Sequence, residues 1–225
     1  MSTDTLFSRV STILTSERIE AYRRGDGDTD VLAKYIWNAC MCEALYPALQ
    51  NLEIGLRNSL HLSISYSFSR DDWYEDLTIL DDWGLAKIAQ AKSELARWGK
   101  PETPGRIVAE LEFGFWTSLL ATRYNDILWS RRGLLKHAFL YMPKGLRHRH
   151  RLAGRFSDIR KLRNRVFHHE PIWYHTDLSA KHDNILEAMD WLNPVLRELT
   201  GFTDRFKAVC DPKRRDEIRQ MLDTL

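Results

Sequence analysis

The segment Leu162–Trp173 brings together side chains that can act on a phosphodiester. It reads LRNRVFHHEPIW, and its side chains include the guanidinium of Arg163, the carboxamide of Asn164 and the imidazoles of His168 and His169. An imidazole titrates near neutrality and can take a proton from a ribose 2′-hydroxyl or return one to the leaving 5′-oxygen. A guanidinium can hold the phosphate while negative charge builds on it. The segment therefore predicts metal-independent cleavage of RNA by 2′-OH attack, whereas DNA lacks this hydroxyl and should bind without being cut.

The spacing of these residues decides which of them share a helix face. At about 100° per residue, Asn164 and His168 lie about 40° apart around a regular helix, whereas Arg163 and His168 lie about 140° apart. Pro171 biases the residue before it away from helical angles. We therefore expect the helix to end at or just before the two histidines. Arg163 can join them only if the last turn loosens, which the end imposed by the proline allows, or if its guanidinium reaches across. Alternatively, the histidines only stabilise a helix C terminus, where a positive side chain is favoured by about 0.3–1 kcal/mol.

The positive charge of the chain is concentrated around this motif. The formal net charge is only +2, but residues 131–170 contain 12 Lys or Arg against 2 Asp or Glu, with five of the eight histidines. Residues 1–130 contain 13 basic and 19 acidic residues. A basic stretch inside an otherwise acidic chain indicates a polyanionic partner. The alternative is a solvated helix face, which is the usual fate of a run of charges.

Arginines alternate with histidines in the sequence RHRHR at residues 147–151. The two histidines allow a metal site, but three interleaved arginines would repel a cation, so we interpret the sequence as a phosphate contact. No glycine-rich phosphate loop, Ser-His-Asp arrangement or zinc-finger spacing occurs, and we expect neither a metal nor another cofactor. The arginines predicted to bind RNA are Arg147, Arg149, Arg151, Arg155, Arg160 and Arg165.

Hydrophobic residues have helical spacing almost throughout, and we find no alternating strand pattern of more than a few residues. A segment that opens near Asp30 is expected to run into a long helix, with Pro47 as a kink. One apolar stripe follows this long helix. It consists of Leu45, Leu49, Leu52, Leu56, Leu60 and Ile64. These patterns predict an all-α helical bundle.

Start and stop signals divide the rest of the chain into helices. Thr103 and Pro104 have the residue types of an N-cap and a first helical position, and Gly114 farther on suggests close packing against another helix. Phe115 and Trp116 can stack on bases, but their helical spacing favours core packing. The predicted helices are Thr3–Arg24, Trp83–Trp98, Pro104–Thr122, Lys144–His169, Leu178–Leu199 and Pro212–Leu222.

Three blocks of the sequence resemble the Abi-like proteins, a branch of the HEPN superfamily associated with bacterial abortive infection. LRNRVFHHEPI looks like the signature of that family, and its Arg-Asn-x-x-x-His core fits the HEPN pattern of an arginine and a histidine separated by four to six residues. The blocks Ala44–Leu60 and Ile107–Leu120 resemble the family in the same order, as does Trp191 downstream. Together these blocks span most of the chain.

The resemblance implies a HEPN core that dimerises, so that the motifs of two chains meet in one cleft and form a composite RNase site. It assigns the ends of the motif to Arg163 and His168 and the polar second position to Asn164, and His169 also falls within the permitted spacing. Many HEPN proteins bind without catalysis. We also expect one domain over residues 1–225, with additional N-terminal helices at 1–42, a HEPN-like core at 43–200 and C-terminal helices at 201–225.

Glu53, Arg57 and Asn58 lie in the first block and can orient the site from a second layer. A surface ion pair between Glu53 and Arg57, one helical turn apart, is the alternative.

These observations predict an endoribonuclease of phage-defence or toxin type that binds RNA as a homodimer, with an antitoxin, protein or RNA, as a further candidate partner. The alternatives are a non-catalytic RNA-binding or partner-sensing module and a purely structural adaptor. Stretches without charge are far shorter than the roughly 20 apolar residues that span a bilayer, and the start shows no export signal. The three cysteines suit neither a disulfide framework nor zinc-ligand spacing. We therefore expect a cytoplasmic protein with reduced thiols and no membrane segment.

Overall fold

A computed structural model describes residues 5–224, and every regular element in that range is helical. The predicted all-α class is therefore confirmed for this range. None of the helices described is both long and apolar enough to cross a membrane. The α-helices are α1 (Leu6–Leu14), α2 (Ser16–Glu20), α3 (Asp28–Phe68), α4 (Asp82–Arg97), α5 (Pro104–Glu110), α6 (Phe113–Ser118), α7 (Leu134–Ala138), α8 (Arg149–Phe167), α9 (Leu178–Leu192), α10 (Pro194–Gly201), α11 (Phe206–Cys210) and α12 (Pro212–Leu222). Short 3₁₀ turns at Trp73–Glu75, Thr122–Tyr124 and Lys144–Leu146 and a π turn at Asn125–Trp129 lie between them.

The chain divides into two compact units, which we describe separately. The first unit contains the residues up to Ala48, the segment Leu162–Asp183 and the residues from Thr203 onward. The second contains Leu49–Lys161 and Asn184–Phe202. Helices α3, α8 and α9 therefore each contribute residues to both units. The expected single domain with a core at 43–200 is not tested by this division and stays a prediction.

Helix α3 carries the predicted apolar stripe. All six stripe residues are buried, and none is more than 2% exposed. The helix begins at Asp28 and continues through Pro47 to Phe68, so the segment near Asp30 joins the long helix as predicted. Two other predicted helices agree closely with the structure, since α4 ends two residues before Gly99 and α12 covers Pro212–Leu222.

The first unit begins with two short helices where the sequence predicted one from Thr3 to Arg24. Thr3 lies outside the described residues. The backbone turns at Thr15, whose φ of 67° is incompatible with a right-handed helix, and α2 ends at Glu20. The single-helix prediction is therefore wrong within the described range. The bend accompanies a small core in which Phe7, Val10 and Leu14 of α1 pack against a buried cluster of Ile19, Tyr22 and Val31.

In the second unit, the predicted helix Pro104–Thr122 is also divided. Leu111 and Glu112 have extended backbones, and the Phe113 amide that opens α6 donates a hydrogen bond of 3.0 Å to Oε1 of Glu53 on α3. A carboxylate that caps a helix N terminus satisfies an otherwise unpaired amide and favours a new start there. Phe115 and Trp116 are 1% and 0% exposed, so their predicted core packing is confirmed.

The predicted helix Leu178–Leu199 is likewise two helices. Pro194 has no amide hydrogen to continue α9, and the side-chain oxygen of Asn193 accepts a 3.0 Å hydrogen bond from the Val195 amide. The proline therefore begins α10 as a first helical residue, with Asn193 as its N-cap.

The close helix approach that the sequence assigned to Gly114 occurs at Gly55. A β-carbon at Gly114 would have no neighbour within 4 Å, so that prediction is wrong. A β-carbon at Gly55 would lie 2.5 Å from Cδ1 of Leu196 and 3.5 Å from Cδ1 of Leu192. The absence of a side chain on α3 therefore lets α9 and α10 approach it.

We expect Gly154→Ala to raise the free energy of unfolding by about 0.5–1 kcal/mol, because Gly154 is exposed inside α8 and an added β-carbon meets nothing within 4 Å. Gly55→Ala has the same helical advantage but must displace Leu196, so it should gain clearly less or lose stability. Urea denaturation of both variants measures the difference. An equal gain at the two positions would contradict the close approach at Gly55.

Candidate functional site

Helix α8 ends at the predicted place, and it ends in a specific turn. The His169 amide donates to the Val166 carbonyl at 3.2 Å, and the Glu170 amide donates to the Arg165 carbonyl at 2.8 Å. His169 has a φ of 58°. This is the Schellman arrangement, in which the residue after the C-cap takes a left-handed conformation that usually belongs to glycine. A histidine in this position is strained, and strained backbone residues are concentrated at functional sites.

The strained turn is held from the first helices of the same unit. Arg18 on α2 donates a hydrogen bond of 2.5 Å from Nη2 to the carbonyl oxygen of His169. The side chains of His168 and His169 are both exposed, so the imidazoles are available to solvent. The turn therefore fixes the backbone of the two histidines while leaving their rings accessible.

Arg163 is directed toward the same helix end. Its guanidinium carbon lies 4.2 Å from the centroid of the Phe167 ring, one turn along α8. Tyr46 of α3 stacks on Phe167 with ring centroids 5.5 Å apart, and Tyr46 is 48% exposed. Asn164 is exposed and precedes His168 by one turn, since the His168 amide donates to the Asn164 carbonyl at 2.8 Å. The structure thus places a guanidinium, two rings, a carboxamide and two imidazoles at one helix terminus.

The buried side-chain carboxamide of Asn38 fixes the segment after the turn, and no pattern in the sequence indicated this role. Oδ1 of Asn38, which is 4% exposed, accepts hydrogen bonds from the Ile172 amide at 2.7 Å and the Trp173 amide at 3.1 Å. The Trp173 ring also lies 4.8 Å from Nζ of Lys34 and 5.1 Å from the guanidinium carbon of Arg24. Helix α3 and the chain before it therefore determine where the chain runs after the two histidines.

Arg165 also supports this segment. Its Nη1 donates to the hydroxyl of Tyr174 at 2.8 Å and to the carbonyl of Pro171 at 3.3 Å. The neighbouring His175 stacks on Tyr174 with ring centroids 4.6 Å apart. Burial lowers the pKa of His175, and the charges of Arg165 and Lys181 lower it further. His175 is therefore neutral at pH 7, and Arg165 has a structural role in addition to its predicted contact with RNA.

Three of the other arginines predicted to bind RNA already donate to groups of the second unit. Arg147 donates to the carbonyls of Leu140, at 3.0 Å, and Met142. Arg149 donates to the carbonyl of Leu120 at 2.8 Å. Arg155 contacts the carboxylate of Glu187 at 2.6 Å, and its guanidinium carbon lies 4.8 Å from the centroid of the Trp191 ring. These guanidiniums stabilise the fold. The number of cations that a ligand can contact is therefore smaller than the net charge of residues 131–170 indicates.

The remaining two, Arg151 and Arg160, differ from this group. Arg151 is exposed, and Arg160 is half-buried at the edge of a cavity. His148 and His150 are exposed and stack on each other with ring centroids 5.6 Å apart. Among residues 5–224 no three histidine, cysteine or carboxylate side chains are grouped so that they could hold a metal ion.

The proposed second layer lies in the second unit. Glu53 caps α6, as described above. Arg57 is one turn away on α3, and its guanidinium lies 3.4 Å from Oδ1 of Asn58 and 3.5 Å from the carbonyl of Ala109. Glu53 and Arg57 thus connect α3 to the segment around α5 and α6, and their predicted orienting role stays a prediction.

Comparison with known proteins identifies no relative of this chain. No family model matches the chain, and no curated protein or solved structure matches it either. The resemblance to Abi-like proteins therefore depends on the sequence blocks alone.

We expect His169→Gly to raise the free energy of unfolding by about 0.5–1 kcal/mol, because glycine adopts positive φ without the steric cost of a β-carbon. His169→Ala keeps the β-carbon and should show no such gain. Chemical denaturation of the two variants measures the effect. If both were equally stable, the left-handed turn would not be a source of strain.

We expect Asn38→Ala to lower the free energy of unfolding by roughly 2–3 kcal/mol, because the amides of Ile172 and Trp173 would lose their acceptor in a buried place. Asn164→Ala is the matched control. Its side chain is exposed on a helix, so this variant should be unchanged or slightly more stable. Urea denaturation compares them, and a loss below about 0.5 kcal/mol for Asn38→Ala would contradict its anchoring role.

Proposed function

We propose that this protein is a cytoplasmic, metal-independent endoribonuclease of the Abi-like HEPN type, with a role in phage defence or as a toxin. One observation carries the proposal. The guanidinium of Arg163 packs on the ring of Phe167, the last residue of α8, and the imidazoles of His168 and His169 are exposed directly after it. These are the groups that cleavage by 2′-OH attack requires. The sequence resemblance and the basic character of residues 131–170 support the same assignment.

The reaction needs two proton transfers, and this terminus has two exposed imidazoles. One neutral imidazole takes the proton of the ribose 2′-hydroxyl as O2′ attacks phosphorus. The bond between phosphorus and O5′ breaks, and a protonated imidazole gives its proton to the leaving oxygen. The products are a 2′,3′-cyclic phosphate and a 5′-hydroxyl. We assign the leading role to His168, which lies on the helix face of Asn164, and keep His169 as the alternative.

Arg163 and the rings beside it would act on other parts of the substrate. The guanidinium stabilises the additional negative charge on the phosphate oxygens in the transition state. Tyr46 and Phe167 form an aromatic surface next to it, and a base that leaves its stack can lie on such a surface. Asn164 would position the phosphate or the imidazole. The site would thereby recognise an unpaired nucleotide rather than a duplex.

The assembly belongs to the proposal as well. In a homodimer the two motifs would share one cleft, so that each chain supplies a guanidinium and an imidazole to a composite site. A cell that makes such a nuclease needs a means of restraining it, and we keep an antitoxin of protein or RNA as a candidate partner. Sedimentation of the purified protein would determine its oligomeric state.

We expect the purified protein to cut total cellular RNA in the presence of EDTA and to leave cyclic phosphate ends. His168→Ala and Arg163→Ala should each lower the cleavage rate by about 10²- to 10⁴-fold, because each removes a group that acts in the transition state. Denaturing gels and end-labelling measure the rate and the product ends. A DNA copy and a 2′-O-methylated RNA of the same sequence should remain uncut.

His137→Ala and Arg97→Ala are the matched controls, since each removes an exposed side chain of the same type from another helix, α7 or α4. Both should cleave at the wild-type rate. Loss of cleavage in His169→Ala but not in His168→Ala would transfer the proton role to His169. RNA binding without cleavage in every protein would instead support the non-catalytic module, and negligible affinity for RNA at physiological salt would support a structural adaptor.

A further inference from the structure

The second unit contains a cavity of about 620 Å³ that the cleavage chemistry does not use. This volume is in the range of small-molecule sites, which hold ligands in roughly 300–1,000 Å³. Its walls come from α4, α6, α8 and the segment after α6. The lining residues are Trp83, Thr117, Ser118, Ala121, Arg123, Ala153, Ser157 and Arg160. These residues include two arginines, three hydroxyl-bearing residues and one tryptophan, and no carboxylate is among them.

One side of the cavity is suited to an anion. Arg160 is half-buried, and its guanidinium has no hydrogen bond or ion pair with any group of residues 5–224. Ser157 lies one turn before it on α8. The hydroxyls of Thr117 and Ser118 already donate to the carbonyls of Gly114 and Phe115, at 3.2 and 2.7 Å. An unpaired guanidinium beside hydroxyl groups is a typical phosphate contact.

The second arginine is fixed in place. Nε of Arg123 lies 2.9 Å from Oδ2 of Asp81, whose other oxygen accepts from the Tyr124 hydroxyl at 2.8 Å and from the Gly84 amide at 3.0 Å. Burial raises the pKa of Asp81, but these hydrogen bonds and the charge of Arg123 outweigh it, so the pKa is lowered. Asp81 therefore stays ionised and holds Arg123 at the wall, whereas Arg160 has no ion pair among the described residues.

The other side of the cavity offers an aromatic ring. Trp83 is 43% exposed, and its indole stacks on Phe115 with ring centroids 6.4 Å apart and an interplanar angle of 20°. Phe115 is buried, so the stack holds the indole in a fixed orientation. A partly exposed and immobilised indole is a surface on which a nucleobase can stack.

We propose that this cavity binds one nucleotide, with its phosphate on Arg160 and Ser157 and its base on Trp83. The nucleotide is either a free mononucleotide or one residue of a single-stranded RNA. The proposal goes beyond the nuclease function and does not depend on it, because neither the ring nor the guanidinium is part of the proposed cleavage site.

Isothermal titration of the full chain with AMP, and in parallel with adenosine, tests the proposal. We expect AMP to bind at least about tenfold more tightly than adenosine, since the phosphate contributes a charged contact. Arg160→Ala and Trp83→Ala should each weaken AMP binding about tenfold or more. Circular dichroism verifies that the variants are folded, and Arg160→Gln, which keeps most of the side-chain volume, provides a second removal of the charge.

Two control variants are matched to these changes. Lys161→Ala removes a positive charge from the next residue of α8, where the side chain is 74% exposed and paired with Asp158. Trp98→Ala removes an indole that is 66% exposed and does not line the cavity. Both should bind AMP within about twofold of the wild type.

A 2′-O-methylated oligoadenylate of eight residues, which cannot be cut, distinguishes the two sources of the nucleotide. Tighter binding than AMP, with displacement of AMP, assigns the cavity to an RNA strand. AMP binding without competition from the oligomer assigns it to a free nucleotide. The proposal is overturned if neither probe binds at millimolar concentration, or if AMP binds equally well to wild type, Arg160→Ala and Trp83→Ala. Because AMP contains no phosphodiester and the 2′-O-methylated oligomer cannot be cut, none of these outcomes depends on nuclease activity.

Discussion

The left-handed backbone of His169 is the constraint on which the proposed nuclease site depends. The helix stays regular up to His168, whose amide still donates to the Asn164 carbonyl, and the left-handed residue that follows turns the chain out of α8. The turn ends the helix at Phe167, and Arg18 holds the carbonyl that follows. The imidazoles of His168 and His169 are therefore exposed while the backbone that carries them is fixed. Such an arrangement would suit the proposed cleavage, because preorganised groups need little rearrangement when a substrate binds.

Hydrogen bonds and ion pairs divide the basic residues into two groups that the net charge cannot distinguish. Arg147, Arg149 and Arg155 donate to carbonyls or a carboxylate of the fold, whereas Arg160 has no such partner among the residues described. A guanidinium that is already paired contributes less to a new phosphate contact, since the existing bonds must be lost or shared. The number of arginines in a basic segment is therefore an upper limit on the contacts it can make.

The sequence predicts the parts of this structure that depend on neighbouring residues. Periodicity identified the buried stripe of α3, and Pro171 marked the end of α8. The contact of Arg163 with Phe167 could also have been predicted, because residues four apart on a helix are neighbours. The divisions at Thr15 and Leu111 were missed, as were the anchoring by Asn38 and the stacking of Tyr46. These involve partners far apart in the chain or tertiary packing that overrides helical spacing, so no local pattern signals them.

The first unit is assembled from three separate stretches of the chain, and this affects how the protein is made. Arg18 and the carbonyl it binds are 151 residues apart, and residues from Thr203 onward complete the unit. Closing so large a loop is slow, because chain entropy opposes contacts between distant residues. On the ribosome the histidine turn therefore stays unclamped until most of the polypeptide has emerged. A nascent chain would then lack the finished histidine turn, so a cleavage activity of the proposed kind could arise only when synthesis is almost over.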